Sequence, residues 1–205
     1  MLKDQTHITR GRKFDQVLTG ARSVFLRDGF EGASVDDIAK EAAVSKATLY
    51  KYFPDKRLLF QEVVQVECRR QAETARAQVD MTGPLDAVLQ SAAMQIVTTI
   101  TSPFNQRFFR ICVAESDRFP ELGRAFYESG PMLLRADISA FLADANAGGV
   151  LRVTDIPLAA DQFVELCKAD IFPRMVFNIA TTFSKEELRR IAKGAVETFL
   201  ARYGV

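Results

Sequence analysis

Six side chains suited to gripping a nucleic-acid backbone or reading a base edge fall within eleven residues: Lys46, Thr48, Tyr50, Lys51, Tyr52 and Lys56. Lysine ammoniums neutralise phosphates, while threonine and tyrosine hydroxyls bond to phosphate oxygens or base edges. Between Lys46 and Arg57 only Asp55 opposes four basic residues. The chemistry of this strip is anion contact rather than bond breaking. His7 is the one histidine, which removes His-based triads and most metal sites. Cys112 and Glu115 stand at i and i+3, but a carboxylate raises a thiol pKa and opposes nucleophilic activation. No glycine-rich phosphate loop follows a strand. The expectation is a binding protein with no catalytic residue, no metal and no cofactor.

The elements around the strip present it outward. Phe14, Val17, Leu18, Ala21 and Phe25 recur at helical spacing and predict a first amphipathic helix over Arg10–Asp28, stopped by Gly29. Ser34 with Asp37 is a capping signature for a short second helix that buries Ile38, Ala39 and Ala42. Ala42-Ala43-Val44 makes a tight break, Ser45 caps a third helix to about Phe53, and Pro54 forbids its continuation. Val44 and Leu49 face inward, leaving Lys46, Ala47, Thr48, Tyr50 and Lys51 outside. This is a helix-turn-helix whose second helix fits a major groove roughly 12 Å wide. Small Ala47 permits close approach, Thr48 and Lys46 reach base edges, and Tyr50 and Tyr52 offer hydroxyls to phosphates. Lys56 follows Asp55, the N-cap of the next helix, where a helix N-terminus attracts phosphate. Arg10, Arg12 and Lys13 are candidates for a basic arm.

Composition agrees with an ordinary soluble globular protein. The chain has 205 residues, 48% hydrophobic and 26% charged, with a net charge of +1. Residues 1–57 hold 11 Lys/Arg against 8 Asp/Glu, so the small basic excess lies in the first part. An architectural DNA packer would need a far larger excess over the whole chain. No apolar run approaches the roughly 20 residues needed to span a bilayer. The opening MLKDQTHITRGRKF lacks the apolar segment of a secretory leader. Cys68, Cys112 and Cys167 are widely spaced without CxxC and read as buried small hydrophobes in a reducing compartment. The cytoplasm is the expected location, without membrane association.

Residues 10–60 resemble the DNA-binding domain of TetR/AcrR-family transcriptional regulators. The resemblance rests on Phe25, Gly29-Phe30, Ser34-Val35, Ile38-Ala39, Val44-Ser45, Leu49-Tyr50, Tyr52-Phe53, Lys56 and Leu58-Leu59-Phe60, in order and spacing. It implies an all-α homodimer, with a three-helix DNA-binding head and a larger helical ligand-binding and dimerisation domain. The expected division is an arm over 1–9, a head over 10–56 and an effector domain over 57–205. By this resemblance Ser34, Ser45, Lys46, Ala47, Thr48, Tyr50, Lys51, Tyr52 and Lys56 contact a double-stranded, pseudo-palindromic operator. The family commonly has glycine where this chain has Ala43; a left-handed backbone there costs alanine about 1–2 kcal/mol. Residues 107–131, RFFRICVAESDRFPELGRAFYESGP, resemble the C-terminal domain of the AefR-like branch.

Downstream, a long helix is expected over Lys56–Gln78, then helices over 85–101, 104–117, 120–129, 131–147, 157–169, 171–179 and 184–203, punctuated by glycine and proline. Most of the many phenylalanines must build core. A cavity lined by Phe and Met also suits a small apolar or amphipathic effector, for which the candidates are Phe104, Arg107, Phe108, Cys112, Phe126, Phe163 and Met175. Arg107 and Arg110, nearly one turn apart, are candidate carboxylate anchors. Leu188, Ile191, Ala195, Phe199 and Leu200 give the last helix an apolar stripe suited to pairing with a second subunit, since family dimers join there in a four-helix bundle. The reading is a ligand-responsive repressor; an activator, or a constitutive DNA-binding protein without an effector, shares the same head.

Overall fold

A computed structural model describes residues 11–205; the expected arm over 1–9, with His7, and Arg10 lie outside the described residues. Among the described residues eleven helices follow in order: α1 Arg12–Gly32, α2 Val35–Glu41, α3 Lys46–Tyr52, α4 Lys56–Gln78, α5 Leu85–Ile100, α6 Pro103–Glu115, α7 Pro120–Ser129, α8 Pro131–Ala147, α9 Ile156–Leu166, α10 Ile171–Val176 and α11 Lys185–Tyr203. Among the described residues the extended pairing is a single bridge, Leu151 with Gly204, which ties the end of α8 to the end of α11. The fold is all-α, as the periodicity requires.

Local chemistry sets most helix ends. Ser34, Ser45, Asp55, Ser102, Asp155 and Ser184 each accept a first-turn backbone N–H with the side chain, satisfying donors that have no partner inside the helix. At α11 the capping box is complete: Glu187 N donates to Ser184 Oγ and Ser184 N donates to the Glu187 carboxylate. α1 is broken at Gly29, whose φ of 74° suits glycine, and a last turn follows to Gly32. In the turn between α2 and α3, Ala43 takes the left-handed conformation with φ 52°. The alanine at the family's glycine position therefore carries the strain.

Two hydrophobic clusters organise the packing. The first joins α1–α3 to the front half of α4, where Leu59, Phe60, Val63 and Val64 are buried, and continues into Phe104, Phe108 and Cys112 of α6 and Leu122 of α7. Phe25, Phe60, Phe108 and Phe104 form a run of ring contacts with centroids 5.0, 5.4 and 4.4 Å apart in succession. The second cluster joins α5, α8, α9 and α11 around Leu89, Phe163 and Phe199. The back half of α4 borders the space between the clusters.

Candidate DNA-binding surface and ligand chamber

In the head, α1 and α2 cross closely because Gly20 has no side chain; a Cβ there would lie 2.6 Å from Ala42 N. α3 hangs on Leu49, which is 1% exposed, and on Val44, packed at the edge of the core. Ser45, Lys46, Ala47, Tyr50 and Lys51 are exposed, and Thr48 is half-buried. Ser45 Oγ accepts from Thr48 N at 3.1 Å and shares a 2.8 Å hydrogen bond with Thr48 Oγ1. Both hydroxyls are thus fixed at the start of the helix. Lys46 Nζ pairs with Asp36 Oδ1 at 2.8 Å, which raises the ammonium pKa. Such an exposed pair is weak and exchanges readily for a phosphate. The Tyr52 ring packs edge-on against Phe14 at 5.7 Å, and Ser34 both caps α2 and donates to Asp37 Oδ2 at 2.6 Å.

Lys56 departs from the phosphate role expected of it. Its Nζ donates to Phe30 O at 2.8 Å, Ala33 O at 3.1 Å and Glu31 O at 3.5 Å, and sits 4.6 Å from the centre of the Phe30 ring. The N-terminus of α4 is likewise occupied by the chain itself, since Asp55 Oδ1 accepts from Arg57 N at 2.7 Å. The Arg57 guanidinium holds this carboxyl below the usual carboxylate range, so the cap stays ionised at neutral pH. Lys56 ties the broken end of α1 to α4, so its ammonium is engaged by the chain itself.

A chamber of about 290 Å³ lies between the clusters. One face of α4 supplies Cys68, Gln71, Ala72, Ala75 and Arg76; α5 supplies Ile96 and Thr99; α6 supplies Asn105, Phe109 and Arg110. Phe126, Leu134, Ile138, Val164, Phe172 and Met175 complete an apolar wall. Phe109 meets Phe126 at 6.1 Å and Phe172 at 5.5 Å between ring centres. A few polar groups are held in place at the rim. Asn105 Nδ2 donates to Gln71 Oε1 at 2.7 Å and Thr99 O at 2.6 Å, Arg76 Nε meets Asp137 Oδ2 at 2.6 Å, and Arg110 Nη1 donates to Met175 O at 3.3 Å and Asn178 Oδ1 at 3.2 Å. An apolar cavity with few fixed polar groups is what a small-molecule site requires.

Of the expected chamber residues, Phe126 and Met175 line it and the other five do not. Phe108 is fully buried between Phe60 and Phe104, and Cys112 lies in the same core. Phe163 packs on Phe199 at 5.1 Å. Phe104 and Arg107 border a separate groove, with Arg107 Nη1 donating to Leu26 O. The reason is that α6 carries phenylalanines on two adjacent faces. Phe104, Phe108 and Cys112 turn toward the head, while Asn105 and Phe109, one position on, turn toward the chamber. The phase was legible only in Arg110, which stands on the chamber side. Burial pushes the thiols of Cys68, Cys112 and Cys167 up to about 12, so all three are protonated at neutral pH.

The stripe on the last helix is also corrected. Ile191, Ala195 and Phe199 are buried inside the chain against α5 and α9, and Leu188 and Leu200 pack at the edge of the same core. These side chains serve the chain's own core. Among the described residues no helix is long and apolar enough to cross a membrane.

Comparison with known proteins agrees with the head and extends to the body. Residues 17–63 match the family described as bacterial regulatory proteins, tetR family, and residues 87–205 match the AefR-like transcriptional repressor, C-terminal domain. The chain belongs to the TetR family of transcriptional regulators, as a DNA-binding protein and not an enzyme. The HTH-type transcriptional regulator UidR of Escherichia coli (strain K12) is 27% identical over 135 residues, 65% of this chain and 66% of that protein. A TetR-family regulator from Mesorhizobium loti MAFF303099 superposes with a TM-score of 0.89 at 30% identity, over 95% of this chain and 98% of that one. The flavonoid-responsive regulator FrrA does so with a TM-score of 0.79 at 35% identity and the same coverage.

Proposed function

We propose that the chain is a ligand-responsive repressor that binds a pseudo-palindromic operator as a homodimer and leaves it when a small apolar or amphipathic effector enters the chamber. The observation that carries this reading is the course of α4. Its front half is part of the head's core and its back half is a wall of the chamber, so one unbroken helix serves both. An effector that favours a displaced α4 changes the spacing of two recognition helices that must sit roughly 34–36 Å apart. Each tenfold loss of operator affinity needs about 1.4 kcal/mol of differential effector binding between the two states.

Lys46 and Thr48 take the base edges, while Tyr50, Lys51 and Tyr52 take the backbone, with Ser34, Ser45 and Ala47 at the same surface. Repression is favoured over activation by the repressor description of the matching C-terminal family. A relative named as flavonoid-responsive, together with Phe109, Phe126 and Phe172, supports an effector with an apolar, ring-accommodating body. The second subunit is assigned to the C-terminal helices, through side chains outside the core rather than the buried Ile191, Ala195 and Phe199. The cytoplasm is the proposed location.

Selection of bound fragments from random duplex DNA, with sedimentation of the complex, tests this. A recovered inverted repeat and a free protein at twice 22.9 kDa are expected. Recovery of sequence-random fragments, or a monomer on a single half-site, would overturn it.

A further inference from the structure

Beside the apolar chamber lies a second, more open groove of about 620 Å³ between α1, α4, α5 and α6. Its lining contains Arg22, Arg70 and Arg107 and no acidic residue. The three guanidiniums have one carboxylate among their partners. Glu67 Oε2 accepts from Arg70 Nη2 at 2.8 Å and lies 3.1 Å from Arg22 Nε, which makes no hydrogen bond, while Arg107 donates to the carbonyl of Leu26. The Glu67 side chain is 13% exposed, so it supports the arginines from behind. Thr74, Thr98 and Ser102 bring hydroxyls to the same groove. Planar guanidiniums beside hydroxyls are the groups that hold a carboxylate or phosphate.

The groove and the chamber share a wall made of Gln71, Ala75, Gln95 and Thr99. Ala75 is short, and Gln71 and Gln95 are flexible amides that can swing aside. Resting on the chamber being an effector site, we infer that the effector is an amphipathic anion. Its apolar body lies in the chamber, and its carboxylate or phosphate head passes between Gln71 and Gln95 into the arginine groove. The head then sits against Arg22 and Leu26 of α1 as well as Arg70 of α4 and Arg107 of α6. Anion binding therefore bears directly on the joint between the DNA-binding head and the body. Gln71 must release Asn105 for the passage to open, which couples entry of the ligand to α4.

The test uses the full chain without DNA. A neutral naphthylamine dye fills the chamber, and decanoate, decyl phosphate and decanol compete for it. Both anions are expected to displace dye at concentrations about tenfold below decanol, since charge-assisted bonds in a partly enclosed groove favour the ionised head. The better anion of the two identifies the head as carboxylate or phosphate. In Arg70→Gln and in Arg107→Gln the anion advantage should shrink toward decanol, while decanol itself is unchanged. Arg70 is 61% exposed, so its replacement leaves folding intact and melting curves confirm this for both variants. Equal potency of decanol and the anions, an advantage that survives in both variants, or loss of DNA affinity in Arg70→Gln without loss of anion preference would each overturn the inference. Dye uptake with equal potencies removes the anionic head alone; a chain that takes up no dye removes the chamber as well.

Discussion

Lys56 Nζ lies 2.8 Å from the carbonyl oxygen of Phe30, at the broken end of α1, and over the face of the same residue's ring. The last carbonyls of a helix lack internal partners, and a cation there satisfies them and complements the helix dipole. Lys56→Met keeps much of the aliphatic packing and removes those bonds. The expected result is a loss of about 1–3 kcal/mol in urea unfolding, since bonds to a charged donor are worth that much when partly buried. Because the ammonium is engaged by the protein, the dependence of DNA affinity on salt should stay as it is. A decrease in that slope by about one would return Lys56 to the phosphate backbone.

Ala43 adopts φ 52° in the turn that aims α3. Relief of left-handed strain by Ala43→Gly is worth about 1–2 kcal/mol. The added freedom of glycine in the unfolded chain offsets roughly 0.5–1 kcal/mol of it. A net gain of about 0.5–1 kcal/mol is expected, with a melting temperature higher by a few degrees and operator affinity unchanged. A melting temperature that falls would place the strain elsewhere.

Gly20 and Ala42 set the crossing of α1 and α2. A methyl at Gly20 would stand 2.6 Å from a backbone nitrogen and 2.8 Å from the Ala42 Cα and Cβ, and backbone cannot yield as a side-chain tip can. Gly20→Ala should cost about 1–3 kcal/mol by overpacking and tilt the helix-turn-helix away from its α1 support. Loss of sequence-specific DNA binding with retained dye uptake in the chamber is expected. Full operator affinity in this variant would show that the crossing is adjustable.

The head was legible in the sequence because its signals are local. A serine before a short helix, a glycine at a break and a proline after a helix each act on neighbouring residues, so Ser34, Ser45, Gly29 and Pro54 could be placed without the fold. What lay beyond reach depended on which partner meets a face. The apolar positions of α11 look the same whether they meet α5 and α9 of their own chain or a second subunit, and they meet the former. Lys56 bonds to carbonyls 23 to 26 residues away, and carbonyls have no signature in a sequence. On α6 the period was right and the phase wrong. Phe108 and Phe109 are adjacent in the sequence, and only the packing of Phe108 on Phe60 decides which of them is core.

That distinction on α6 and α4 yields the last prediction, a contrast between two substitutions to phenylalanine. Cys112 is 3% exposed in the core shared by head and body and lines neither the chamber nor the groove. Ala72 stands on α4 at the wall of the chamber, where about 290 Å³ is open to a larger side chain. Cys112→Phe should therefore lower stability by about 1–3 kcal/mol through overpacking, with effector or dye binding retained at temperatures below the melt. Ala72→Phe should leave stability within about 0.5 kcal/mol, the range of substitutions that disturb no packed contact. It should reduce dye uptake and make operator binding insensitive to effector, because the added ring occupies the effector's volume. Thermal melts and dye titrations on the two variants separate the outcomes. If Ala72→Phe destabilises as much as Cys112→Phe and still takes up dye, the space beside α4 closes in solution and the effector enters elsewhere.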